Sequence, residues 1–133
     1  KQFDAFAKND EVLIYTARKD NEILAQNFII FYGAEASYHY GVSSQLGTKY
    51  SAAPLLHMAA MDEARKRGCT RYNLWGIVGK DETEHRFYGV SEFKRSFGCE
   101  ELKYTPAHDM VLNSVKYQLT KVVETARKKI RHV

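Results

Sequence analysis

Cysteine, proline and long apolar runs are all scarce in this chain, and each scarcity removes a class of protein. Two cysteines in 133 residues, Cys69 and Cys99, cannot build a disulfide framework. Each follows a glycine, Gly68 or Gly98, at an expected element end. Buried or half-buried free thiols in a reducing compartment are the expectation. Two prolines leave no Pro-rich linker. No run of about 18 apolar residues is present to span a membrane, and no signal-peptide pattern opens the chain. No His, Cys and Asp cluster has metal-ligand spacing. No phosphate-cradling glycine loop and no Ser-His-Asp or Cys-His arrangement stands out. Repeats and low-complexity tracts are lacking too.

What is there fits one globular domain with 44% hydrophobic residues and 13% aromatic ones. The opening, Lys1-Gln2-Phe3-Asp4-Ala5-Phe6, lacks an initiator methionine and reads as the tail of a helix, as if cut from a longer protein. The net charge is +4. Much of it falls on Lys116, Lys121, Arg127, Lys128, Lys129 and Arg131. Such a basic helix reads first as a solvated face and second as a surface for RNA or an anionic membrane.

Hydrophobic patterning predicts strands over 11–18, 23–32 and 36–42, joined by short turns as a meander. A loop over 43–50 leads to Ser51, a candidate N-cap. The helix expected over 52–67 carries Leu55, Leu56, Met58, Ala59, Met61 and Ala64 on its inner side, and Gly68 stops it. A strand follows over 70–75, parallel to the third by a crossover. Residues 76–88 form a charged loop. The segment 90–97 reads as a short helix. Phe93 and Phe97, four apart, share one face, Lys94 and Arg95 point away from it, and Gly98 ends the helix. Two strands, 100–105 and 108–112, close the sheet. Asn113 then caps a helix over 114–131 whose Val115, Leu119, Val122, Val123 and Ala126 form an inward stripe. This is an α/β layer order, a mixed sheet flanked by helices. It has the core order of the acetyltransferase-like fold, present in a single copy.

Tyr38-x-Tyr40-Gly41-x-Ser43-Ser44, Ala53-Pro54-Leu55-Leu56, Gly68-Cys69, Tyr72-Asn73-Leu74-Trp75-Gly76-Ile77, the stretch Gly89 to Gly98, and Asp109-Met110-Val111-Leu112-Asn113 occur in that order. In order and spacing they resemble the Fem family, the aminoacyl-tRNA-dependent peptidyltransferases that build peptidoglycan cross-bridges. The resemblance runs from about residue 11 to the end. Members look like two acetyltransferase-type copies side by side, and this chain resembles the second. The family's Phe-Lys-x-x-Phe-Gly motif falls on Phe93, Lys94, Phe97 and Gly98. Cys99 stands where a second glycine is frequent.

The resemblance implies aminolysis of an ester. The amine of a peptidoglycan precursor, nucleotide- or lipid-linked, attacks the aminoacyl carbonyl on the tRNA 3′ ribose. A fixed cation beside the developing oxyanion is then the most useful group. Lys94 is the candidate, against the plainer reading of a surface lysine. Phe93 would line the acyl or adenosine pocket, or be a core ring paired with Phe97. Tyr38 and Tyr40, two apart on a strand, would share a face and bind a ligand, or pack as half-buried strand residues. Ser43 and Ser44 would meet a carboxylate or phosphate ahead of the main helix, or serve as turn residues. His39 is expected on the face opposite the two tyrosines. His57 and His85 read as structural or solvated, and the acids Asp81, Glu82 and Glu84 as a wet loop. The resemblance implies no cofactor, a cytoplasmic setting and peripheral contact with the inner membrane face. An acyl-CoA N-acetyltransferase is the first rival, but Gln45-Leu46-Gly47-Thr48-Lys49-Tyr50 lacks the glycine pattern of a pyrophosphate loop. A non-catalytic, RNA-binding copy of the fold is the second.

Overall fold

The computed structural model describes residues 2–131, with side chains through Arg127. It divides into two compact units, one running to Cys99 and one starting at Glu100.

The first unit opens with α1 (Gln2–Ala7) and then a meander of β1 (Val12–Lys19), β2 (Glu22–Tyr32) and β3 (Glu35–Ser43). The strands pair antiparallel in the order β1-β2-β3, and β4 (Arg71–Asn73) adds to β3 in parallel. Between β3 and β4 run α2 (Gln45–Lys49) and α3 (Ala52–Lys66), and α4 (Tyr88–Arg95) follows β4. This is the mixed α/β order expected from the sequence.

The core lies between the sheet and α3. Ile29, Phe31 and Ala36 pack with Ala60 and Ala64, while Ala17, Leu24 and Ala25 pack with Ala52 and Leu56. The buried face of α3 is thus Ala52, Leu56, His57, Ala60 and Ala64. Leu55 and Met58, expected inside, are 65% and 55% exposed. Ala52, Leu56, Ala60 and Ala64 recur at four-residue intervals and face the sheet, while Leu55 and Met58, off that stripe, are turned outward. Arg67, just past α3, clamps that end: it pairs with Glu63 at 2.9 Å and Asp10 at 3.1 Å and lies over the Phe31 ring at 4.5 Å.

Three further expectations are corrected. Ser51 sits in the left-handed region at φ 51° and makes no side-chain cap, because a helix absent from the sequence reading, α2, precedes it. The cap is made instead by Ser44, whose Oγ accepts from the Gly47 N–H at 3.0 Å. Residues 100–105 and 108–112 form no strands. Leu102, Tyr104 and Met110 are exposed, and without a neighbouring ladder the extended backbone has no partner.

In the second unit, α5 (Ser114–Arg131) begins at the expected cap, with the Lys116 N–H donating to Asn113 Oδ1 at 3.0 Å. Within that unit nothing covers the stripe of Val115, Leu119, Val122 and Val123, which is exposed. Among the described residues no helix is long and apolar enough to cross a membrane. Cys69 is half-buried and Cys99 is exposed, both as free thiols.

Candidate functional site

The site arises where two parallel strands part. Pairing of β3 with β4 covers only Glu35↔Arg71, Ala36↔Tyr72 and Ser37↔Asn73. Beyond Ser37, β3 continues alone to Ser43. The chain leaves β4 through Trp75, whose φ of 67° is rare for a bulky residue. Asn73 holds that turn, its Oδ1 accepting the Trp75 N–H at 2.8 Å and its Nδ2 donating to Glu35 at 3.1 Å. The same bond from Asn73, then one from Ser37, lowers the pKa of Glu35. Residues beyond Trp75 then wrap over α4.

That wrapping decides where the cations of α4 go. Lys94 Nζ donates to the Gly76 carbonyl oxygen at 2.6 Å and Arg95 Nη2 to that of Val78 at 2.6 Å. Ser91 Oγ accepts the Val78 N–H at 3.0 Å and donates to Phe87 O at 2.9 Å. Lys94 is 7% exposed, not turned to water as its place on the helix suggests. Its Nζ lies 6.0 Å from the centre of the ring of Tyr38, the first β3 residue beyond the pairing with β4. Burial lowers its pKa, and among the described residues it has no ion pair.

On the neighbouring face of α4, Phe93 and Phe97 do share a direction, meeting edge to face at 5.2 Å. Both close on His57, at 5.6 Å and 5.2 Å. His57 is wholly buried and also meets Tyr38 at 4.5 Å. Its Nδ1 lies 3.0 Å from the Tyr72 hydroxyl, while Nε2 has no hydrogen-bond partner. Burial first, then the charge of Lys94, lowers its pKa to about 4. Burial raises the pKa of Tyr38, and that of Tyr72 more, with Tyr15 and Tyr38 adding to the latter.

Lys94, Phe93 and Tyr38 are therefore brought together around His57. Tyr40 is not. A bulge in β3 pairs Phe28 with Tyr40 and Ile29 with Tyr38, leaving His39 as the extra residue. Because Phe28 and Ile29 face opposite sides of β2, Tyr38 faces α3 and Tyr40 the other side. His39, expected opposite both tyrosines, instead joins Tyr40 at 4.2 Å, Phe28 at 5.8 Å and Trp75 at 5.5 Å. Ser43 and Ser44 lie at the far end of β3, about 16 Å from Tyr38 at about 3.3 Å per residue. Ser44 Oγ is taken by Leu24 O and the Gly47 N–H, and Ser43 Oγ by Ser44 O. His85 and the acids Asp81, Glu82 and Glu84 are exposed. His57, expected to be structural or solvated, is wholly buried, and it falls on the stripe of Ala60 and Ala64 by three- and four-residue steps. Nothing in the sequence signals that the Gly76 carbonyl receives Lys94. Among the described residues no group of three or more His, Cys, Asp or Glu could hold a metal ion.

A parallel pair that opens beside a buried cation suits an acyl group. Comparison with known proteins gives the family. Residues 1–125 match the FemAB family. This chain belongs to the FemAB family. The lipid II:glycine glycyltransferase of Staphylococcus saprophyticus is 25% identical over 111 residues, covering 84% of this chain and 27% of that protein. The aminoacyltransferase FemB of Staphylococcus epidermidis is 28% identical over 114 residues, covering 84% and 27%. A crystal structure of FemX aligns at 25% identity and a TM-score of 0.49, over 73% of this chain and 22% of that one. The chain thus spans about a quarter of the length of these relatives. Acyl transfer is the chemistry that the relatives' names share at the family level.

Proposed function

We propose that this chain supplies the second acetyltransferase-like copy of an aminoacyltransferase, the C-terminal half of a two-copy protein. The enzyme moves an amino acid from aminoacyl-tRNA to the amine of a peptidoglycan precursor's stem peptide. The carrying observation is the place of Lys94, a buried cation in the gap between β3 and β4, in a family whose relatives include a glycyltransferase for lipid II.

In the reaction the amine attacks the ester carbonyl, a C–N bond forms, and the bond from that carbon to the ribose oxygen breaks. The amine's proton ends on the departing hydroxyl. An oxyanion develops on the carbonyl oxygen between attack and departure. An ammonium has three N–H donors. In Lys94 one is given to Gly76, which holds the head in place, and two remain to meet the oxyanion. A pre-set donor of this kind needs no reorganisation during reaction, the condition under which such groups contribute most. Phe93 and Tyr38 border the same gap and shape the donor pocket. The ester is already activated, so no cofactor is required. Aminoacyl-tRNA is a cytoplasmic substrate, which places the protein there, facing precursor at the inner membrane. Tyr40, Ser43 and Ser44 would serve a different part of the substrate from Lys94, given their distance or opposite face.

The test is calorimetry with two ligands. A short aminoacylated acceptor-stem RNA should bind and coenzyme A should not. Binding of coenzyme A alone would turn the reading to an acyl-CoA N-acetyltransferase.

A further inference from the structure

His57 is where four elements meet. Its ring, on α3, contacts Tyr38 of β3 at 4.5 Å, Tyr72 of β4 at 6.0 Å, Phe93 of α4 at 5.6 Å and Phe97 just after α4 at 5.2 Å. Tyr38 is the first residue of β3 beyond its pairing with β4, and Tyr72, paired with Ala36, is the middle residue of β4. Phe93 immediately precedes Lys94, and Phe97 follows it by three residues. A phenylalanine at position 57 would serve the same packing without burying polar atoms. A buried, half-satisfied imidazole costs about 1–3 kcal/mol for the group left unpaired. What the imidazole adds is one bond, between its Nδ1 and the Tyr72 hydroxyl at 3.0 Å, tying α3 to the middle of β4.

The direction of that bond follows from counting donors. Burial keeps the Tyr72 phenol protonated. If the phenol donates to Nδ1, one buried donor is left over, the Nε2 N–H. If Nδ1 donated instead, both the phenol proton and Nε2 would lack partners. The first arrangement leaves fewer groups unpaired, so the ring is neutral with its proton on Nε2. The titratable groups facing it are Tyr38 from β3, Tyr72 from β4 and Lys94 from α4, with no carboxylate among the described residues to favour an imidazolium.

We propose that His57 is a positioning residue for Lys94: the neutral ring, oriented by Tyr72, sets the width of the gap between β3 and β4 and holds α4 so that the ammonium reaches into it. The claim rests on the function proposed above only for the word positioning. The geometry it asserts can be read without any turnover.

The experiment compares wild type, Tyr72→Phe, His57→Leu and His57→Asn in the two-copy protein that contains this chain, using lysine Nζ NMR and steady-state transfer of the aminoacyl group. Tyr72→Phe is the mildest change, since it removes one oxygen and keeps the ring. The Lys94 titration should move up toward the ordinary lysine value in Tyr72→Phe and in His57→Leu. His57→Asn, whose amide oxygen can stand in for Nδ1, should restore part of the shift. The kcat should fall about tenfold or more in the first two, with KM for the precursor unchanged, since misplaced catalytic groups act on turnover. Combining Tyr72→Phe with His57→Leu should cost no more than either alone. A long-range proton–nitrogen spectrum should show the proton on Nε2. If Tyr72→Phe stays folded and the Lys94 titration does not move, the proposal is overturned. If the titration moves but no aminoacyl transfer is seen even in wild type, the positioning claim stands and the functional reading fails.

Discussion

Lys94 Nζ donates to the carbonyl oxygen of Gly76 across 2.6 Å, joining α4 to the turn that leaves β4. The bond explains how a lysine on a short amphipathic helix comes to be buried. The turn residues supply a carbonyl where solvent would otherwise be, and the ammonium lies 6.0 Å from the centre of the Tyr38 ring. It also orients the head while leaving donors over.

Lys94→Met keeps the stem and removes the donors. Transfer in the full chain should fall by about 10²–10³, the usual cost of losing one oxyanion donor. The far-ultraviolet circular dichroism should be unchanged. Wild-type turnover in this variant would remove Lys94 from the mechanism.

Acid should loosen the first unit through His57. Its folded-state pKa of about 4 lies below the ordinary 6.5, so the unfolded chain binds the proton more readily. Stability contributed by the neutral ring is therefore present above pH 6.5, is lost as pH falls toward 4, and falls no further below that. At about 1.4 kcal/mol per pKa unit this amounts to a few kcal/mol. Denaturant midpoints measured between pH 7 and 4 should show the decline, and His57→Phe should flatten it. Lys94 acts in the same sense at the alkaline end. Its lowered pKa makes stability rise with pH up to the ordinary value of 10.5.

Gly41→Ala should destabilise the fold. A Cβ at Gly41 would run into the Tyr38 hydroxyl and the ring atoms beside it. Overpacking of this kind costs about 1–3 kcal/mol. Thermal melts should show the loss, and Tyr38→Leu in the same chain should recover much of it by vacating the space. Equal melting temperatures for Gly41→Ala and wild type would mean Tyr38 does not lie against this strand.

Arg67→Lys is expected to behave as a damaging change despite keeping the charge. The guanidinium bonds Glu63, Asp10 and the Asp10 carbonyl while stacking on Phe31, and an ammonium cannot hold all four. A loss of about 1–2 kcal/mol is expected from hydrogen bonds to charged groups. It should appear as a lower unfolding midpoint, while Arg65→Lys, at an exposed pair, should change nothing measurable.

Several elements were legible from residue pattern. The meander follows from β-rich runs broken at Lys19 to Glu22 and Gly33 to Glu35. Gly98, at φ 69°, takes the left-handed place expected after α4. Asn113 caps α5 as its position before an apolar stripe suggests. The facing of Phe93 and Phe97 follows from helical spacing alone. Other elements were not legible. Alternation along β3 predicts one face for Tyr38 and Tyr40, but the bulge at His39 shifts the register and separates them. A bulge is set by how two strands settle against each other, and nothing in Tyr-His-Tyr announces it. Of the residues expected on the inner side of α3, Leu56 and Ala64 are buried, but Leu55, Met58 and Ala59 are exposed, and packing against the sheet selects Ala52, His57 and Ala60 in their place.

By itself the sequence determined the three-strand meander, the helices α3, α4 and α5, where Gly98 and Asn113 end or begin them, and that Phe93 and Phe97 share a face. These are short-range properties, decided within a turn or a pleat of each residue. Only the tertiary structure decided that Lys94 is buried, that His57 on α3 touches β3, β4 and α4, and that Tyr40 parts from Tyr38. Each of those depends on chain brought from 15 or more residues away, as with Gly76 and Lys94 or His57 and Tyr72, or on strand register. Local preference carries no information about such meetings, because they are set by how the packed layers close over one another.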